Sequence, residues 1–174
     1  MPICAPNAEV LAIDPSIAET GWAVFAMGEL RGAGLAHLPP SWRLKTRAER
    51  CDAMARTIRA GALGVGCQHP GDCVIEMPVV RNILSAGSKG DPNDLILLAV
   101  LCGAIAHDQL VSDARVTLVK PEEWKGQTPK DITTERAKSR LSPSEIARVQ
   151  LPSAAGLAHN VWDAIGIGLW AIGR

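Results

Sequence analysis

Residues 9–25 read E-V-L-A-I-D-P-S-I-A-E-T-G-W-A-V-F, two apolar halves on either side of a polar turn. Val10 to Ile13 form a short apolar run of the kind buried on both faces of a sheet, closed by Asp14 and Pro15. Thr20 to Phe25 read as a second strand, so residues 15–19 are the connection and the pair is predicted to be a hairpin. A carboxylate at the end of a core strand is costly unless something offsets it. Asp14 therefore either accepts turn hydrogen bonds, as Asp does beside Pro, or belongs to a site.

Downstream, residues 34–38 are expected to form a third antiparallel strand, stopped by Pro39 and Pro40. Leu44, Cys51, Met54, Ala55 and Ile58 lie at helical spacing and predict a helix over 44–60, ended by Gly61, Gly64 and Gly66. The run D-C-V-I at 72–75 is a further short strand, and it too ends in an acid before a proline, Glu76-Met77-Pro78. Residues 77–90 are small and polar and read as a connection. Asp91 and Pro92 then have the form of an N-cap and first helical residue for a helix to about Asp108, apolar almost all round and so in need of cover on more than one side.

Residues 115–119 read as another strand, 121–131 show little periodicity, and a short helix is expected over 142–149. The last helix is predicted over 160–172, with His159, Asn160 and Asp163 near its start. The order is three antiparallel strands followed by strands separated by helices. That predicts an α/β fold with a mixed sheet, parallel in its later part, and helices on its faces, in a single domain spanning 1–174.

In such sheets, sites form where strands end. If the strands ending in Asp14 and Glu76 are parallel neighbours, two carboxylates stand side by side and require a cation. His159 and Asp163, four apart, share a helical face, and Asn160 is nearly on it. Carboxylates with one or two neutral ligands suit Mg²⁺ or Mn²⁺ rather than Zn²⁺, and two such ions serve in-line phosphoryl displacement. The competing reading of the helix group is a capping one, with Asn160 as N-cap, Asp163 as its third-position acid and His159 on the surface.

Together, I-D-P-S-I-A-E-T-G-W, V-I-E-M-P and H-N-V-W-D-A-I-G-I-G-L-W resemble the RuvC-type Holliday junction resolvases of the RNase H-like nuclease superfamily. The segment W-K-G-Q-T-P-K resembles a phage-encoded branch of them. The resemblance implies a five-stranded RNase H-like sheet and a homodimeric endonuclease that nicks a four-way DNA junction symmetrically with two Mg²⁺ or Mn²⁺ ions. It implies Asp14, Glu76 and Asp163 as metal ligands, the helix at 95–106 as the dimer interface, and Arg81, Lys89, Lys120, Lys125 and Lys130 as phosphate contacts. Ser16 stands where these resolvases usually have Gly, and Asn160 stands at a position usually acidic or His. Imidazole is the better donor to transition ions, so His159 is expected to be the fourth ligand or general base and Asn160 the helix cap. The competing functions are an RNase H-like nuclease acting on flaps or other nucleic acids, and a non-cleaving DNA-binding relative, against which the three acids argue. An actin-like fold opens with a similar hairpin but needs a second copy of its domain, for which 174 residues leave no room.

Composition agrees with a nuclease without requiring one. The chain is 47% hydrophobic and 21% charged, which excludes a disordered protein. Net charge is zero, yet basic residues gather over 43–59 and 115–140, compatible with a polyanion-binding surface. Five cysteines with no C-x-x-C pair signal neither a disulfide framework nor a zinc knuckle and are expected to be reduced, in a cytoplasmic protein. No signal peptide is expected, and the apolar run 95–106 is too short to span a bilayer.

Overall fold

The computed structural model describes residues 2–5, 7–79 and 92–174. Strands β1 (Val10–Asp14), β2 (Glu19–Ala26), β3 (Glu29–His37), β4 (Asp72–Glu76) and β5 (Arg115–Val119) form one sheet in the order β3-β2-β1-β4-β5. β1, β2 and β3 pair antiparallel, and β1–β4 and β4–β5 pair parallel, which is the predicted mixed sheet. β3 begins five residues before its predicted start. Met27 and Gly28, at φ 54° and 76°, make the tight turn that joins it to β2. Gly32 and Gly34 had hidden its alternation, because the Val65 and Trp22 side chains pack where their Cβ atoms would be.

Side chains alternate across the sheet and divide the core in two. Val10, Ala12, Ala23, Phe25 and Val74 point to the face covered by helix α6 (Ala158–Ala171). Leu11, Ile13, Trp22, Val24, Cys73 and Ile75 point to the face covered by α1 (Arg47–Gly64) and α2 (Pro92–Leu110). A 3₁₀ turn over Pro40–Leu44 precedes α1, whose true start is a capping box of Thr46 and Glu49. Gly61 does not stop α1; it leaves room for the Trp22 indole, and the helix runs on to Gly64.

The apolar α2 turns Leu97, Leu101 and Ile105 into the core, whereas Ile96 and Val100 are 64% and 50% exposed. At 19 residues it is longer than the apolar run suggested, and one window of it is long and apolar enough to cross a membrane by length and composition alone. Here it packs on α1, β4 and β5. The proposed Asp91 cap lies outside the described residues, as do Arg81 and Lys89.

Beyond β5, the stretch without visible periodicity contains α3 (Pro121–Trp124) and the start of α4 (Lys130–Ser139). The buried line of α4 is Thr133 and Ala137, continued just past its end by Leu141, too small and polar to register as an apolar stripe. α5 (Pro143–Ile146) is shorter than expected. Its Glu145 is buried and bonded to the Leu30 and Ser142 amides and to both terminal nitrogens of Arg174. Arg174 and these amides hold the Glu145 carboxyl at about 2.

Several of the clustered basic residues are neutralised within the chain: Arg56 pairs with Asp52, Arg59 with Asp108 and Arg115 with Asp72. All five cysteines are free and buried. Burial pushes the Cys4 thiol up to about 11 and those of Cys67 and Cys102 to about 12, so they are protonated and inert near neutrality.

Candidate active site

The parallel register Ile13↔Ile75 sets Asp14 and Glu76 level with each other, one residue beyond the last apolar pair of β1 and β4. Alternation fixes their direction. Ala12 and Val74 belong to the α6 face of the core, so Asp14 and Glu76, two residues on, point to that same face. Two strands that each end in an acid thus deliver both carboxylates to one corner of the sheet.

Helix α6 brings the third acid there. Asp14 lies opposite Gly21 in the β1–β2 register, and a Cβ on Gly21 would stand 1.9 Å from the backbone oxygen of Asn160. Only glycine lets the first turn of α6 come down onto β2 at this level. Asp163 follows within one helical turn, 6% exposed. The turn between β1 and β2 is tied by buried Thr20, whose hydroxyl donates to the Ser16 carbonyl (2.9 Å) and accepts from the Ser16 amide (3.2 Å). Ser16 has no positive φ, so the departure from glycine there leaves the turn intact.

Trp124, which the sequence did not mark, and Lys125, which the resemblance implied as a phosphate contact but which faces the acids instead, complete the corner. After β5 the chain turns back through α3, and the Trp124 indole Nε1 donates to Glu76 Oε2 at 2.5 Å. The ring rests on α6 at Gly166, where a Cβ would stand 2.6 Å from it. The Lys125 ammonium reaches the same Glu76 oxygen at 3.3 Å and lies 4.0 Å from Asp163 Oδ2. It is also 4.6 Å from the Trp124 ring centroid, within cation–π range. In the sequence the pair stands in an aperiodic stretch, W-K-G-Q-T-P-K, which gives no spacing relative to the acids.

His159 is half-buried in the first turn of α6, four residues before Asp163 and on its face. Asn160 is not the helix cap. α6 starts two residues earlier than predicted, with Leu157 at the cap position, and the buried Asn160 carboxamide instead donates to the Glu19 carbonyl at 2.8 Å. A tether to β2 has displaced the capping role. Lys120 is exposed, its backbone amide donating to Glu123, and Lys130 opens α4.

Among the described residues, no three His, Cys, Asp or Glu side chains converge closely enough to hold a metal as they stand. The donor chemistry nevertheless fits a small, hard divalent cation. Its oxygens are carboxylates, and the place between Glu76 and Asp163 already attracts a positive charge, that of Lys125.

No protein-family model matches the chain, and no curated protein does. Among solved structures it is similar to Thermus thermophilus RuvC in complex with a Holliday junction substrate, with TM-score 0.64 and 15% identity over 92% of this chain and 90% of that one. A second structure of Thermus thermophilus RuvC gives 0.56 and 15% over 94% and 95%. The yeast mitochondrial Holliday junction resolvase Ydc2 gives 0.50 and 10% over 98% and 81%. At these identities the likeness is one of fold: the chain has the RuvC-type, RNase H-like architecture over nearly its whole length.

Proposed function

We propose that the chain is a divalent-metal-dependent endonuclease that resolves four-way DNA junctions by paired, symmetric nicks. One observation supports the reading: the β1–β4 register sets Asp14 and Glu76 level at one corner of the sheet, Lys125 lies within ion-pairing reach of both Glu76 and Asp163, and the architecture is also that of solved junction resolvases. Fold alone does not assign function, and it is the acids at this corner that make the reading one of chemistry.

Asp14, Glu76 and Asp163 would hold the ions, with His159 as fourth ligand or general base. Two bound Mg²⁺ or Mn²⁺ ions would supply Lewis acidity for an in-line phosphoryl displacement. Trp124 orients the Glu76 carboxylate through its indole N–H. Lys120 and Lys130, with Arg81 and Lys89 outside the described residues, would meet phosphates and make binding salt-dependent. Two symmetric cuts on a two-fold junction call for a two-fold enzyme, and the exposed Ile96 and Val100 face of α2 would form the seam of a homodimer. Five buried, free thiols accord with a reducing, cytoplasmic setting.

The reading is tested by nicking of a synthetic four-way junction with and without Mg²⁺ or Mn²⁺, beside flap and linear duplex substrates. Junction-selective, metal-dependent nicking is expected. Equal cleavage of flaps would shift the assignment to a broader RNase H-like nuclease. Tight binding without cleavage would shift it to a DNA-binding relative.

A further inference from the structure

We propose that Lys125 is a built-in counter-cation of the acidic corner, so that a divalent ion enters by exchange with its ammonium rather than by addition. The inference rests on the reading of Asp14, Glu76 and Asp163 as metal ligands and concerns how that same site is loaded.

The ammonium lies within ion-pairing reach of two of the three acids, 3.3 Å from Glu76 Oε2 and 4.0 Å from Asp163 Oδ2. This is not a surface pair: the Lys125, Glu76 and Asp163 side chains are 20%, 16% and 8% exposed. Carboxylates so far out of water require a nearby positive charge, and in the chain as it folds Lys125 provides it. Glu76 Oε2 also accepts the Trp124 indole N–H, so two donors occupy the lone pairs of that oxygen. An ion that takes this oxygen must remove at least one of them. Lys125 is the mobile one, since the Trp124 ring is seated against Gly166 on α6, the helix that carries Asp163.

The backbone places the ammonium deliberately. Lys125 ends the one-turn helix α3, and Gly126 at φ 61° turns the chain away directly afterwards. Stacking of the ammonium on the Trp124 ring holds the long side chain inward. A second cation close to the first is repelled, so exchange lowers metal affinity while letting the acids stay buried and the chain fold without metal.

The experiment is Mn²⁺ titration of the full-length, DNA-free protein, reading free Mn²⁺ by electron paramagnetic resonance, with wild type, Lys125→Met, Lys125→Arg and Asp14→Asn. Lys125→Met keeps the stem and removes the charge, and it should bind Mn²⁺ about tenfold more tightly than wild type. Lys125→Arg keeps a cation and should bind as wild type does. In chelator, Lys125→Met should melt below wild type and gain more from added Mn²⁺, as linkage requires. Should Lys125→Met be insoluble, Lys125→Gln is judged by the same criteria. Unchanged or weaker Mn²⁺ binding on removal of the charge, with binding still lost in Asp14→Asn, overturns the exchange and leaves the metal reading standing. Binding indifferent to Asp14→Asn in every background overturns both.

Discussion

The backbone carbonyl of Asn160 occupies the space that a side chain on Gly21 would need: a Cβ there would lie 1.9 Å from that oxygen. Since Gly21 is also the residue opposite Asp14, one contact sets the height of α6 over the acid that ends β1. Gly21→Ala must push backbone against backbone, which costs about 3 kcal/mol or more, at the upper end of overpacking. Urea unfolding should show that loss. Nicking should fall further than the unfolded fraction explains, because Asp163 moves with its helix.

His159 and Asn160 are separated by what they touch. His159→Ala removes a half-buried ring on the Asp163 face and is expected to reduce nicking strongly with little change in melting temperature. Asn160→Ala breaks the buried bond to the Glu19 carbonyl and is expected to cost about 1–2 kcal/mol of stability while keeping most activity. Because imidazole suits Mn²⁺ better than Mg²⁺, His159→Asp should move the metal preference towards Mg²⁺. An active His159→Ala beside a dead but folded Asn160→Ala would make Asn160 the functional residue.

The exposed face of α2 gives a third test. Leu97 is 9% exposed and belongs to the chain's own core, so a charge there tests folding rather than assembly. Val100, at 50%, is the informative position. Sedimentation should show wild type as a dimer and Val100→Lys as a folded monomer that still binds DNA but no longer makes paired cuts. A monomeric wild type in the presence of junction DNA would remove the seam from α2.

The buried pair of Glu145 and Arg174 sets an acid limit. The folded Glu145 carboxyl sits at about 2, below its ordinary value of 4.5, chiefly through its bond to Arg174. A depressed acid contributes stability that is fully present above the unfolded value and is lost as pH falls through the folded one. The contribution, on the order of 3 kcal/mol, should therefore disappear between roughly pH 4.5 and 2. Glu145→Gln should flatten the stability profile over that window and, by leaving Arg174 half-buried without its partner, lower stability at neutrality. A mutant profile parallel to wild type would contradict the pair's role.

Much of the corner was legible because it is written in strands. Apolar runs that end abruptly in Asp14 and Glu76 set element, face and level at once, and the register of β1 and β4 followed. What stayed hidden lacked periodicity. Glycines masked β3 because partners fill the space their side chains would take, and among the described side chains of α4 the buried ones are the small Thr133 and Ala137. Trp124 and Lys125 reach the acids from the end of a four-residue helix and the residue just after it, so no spacing in the sequence sets them there, and the resemblance had implied Lys125 only as a phosphate contact. Asn160 was misread because a capping residue and a cross-strand tether have the same composition, and only the position of the helix start distinguishes them.

The central claim, that Asp14, Glu76 and Asp163 form a metal-dependent junction-cleaving site, is met most directly by one assay. A synthetic four-way junction labelled on each strand is incubated with wild type, Asp14→Asn and Glu76→Gln, in Mg²⁺, in Mn²⁺ and in chelator, and cut positions are mapped beside gel-shift binding. The expected result is paired nicks at symmetric positions by wild type with either ion, none in chelator, and none by either mutant although both bind the junction as well as wild type or slightly better, since an anion facing DNA has been neutralised. Nicking retained by Asp14→Asn or Glu76→Gln at saturating metal, or cleavage of linear duplex as fast as of the junction, would contradict it.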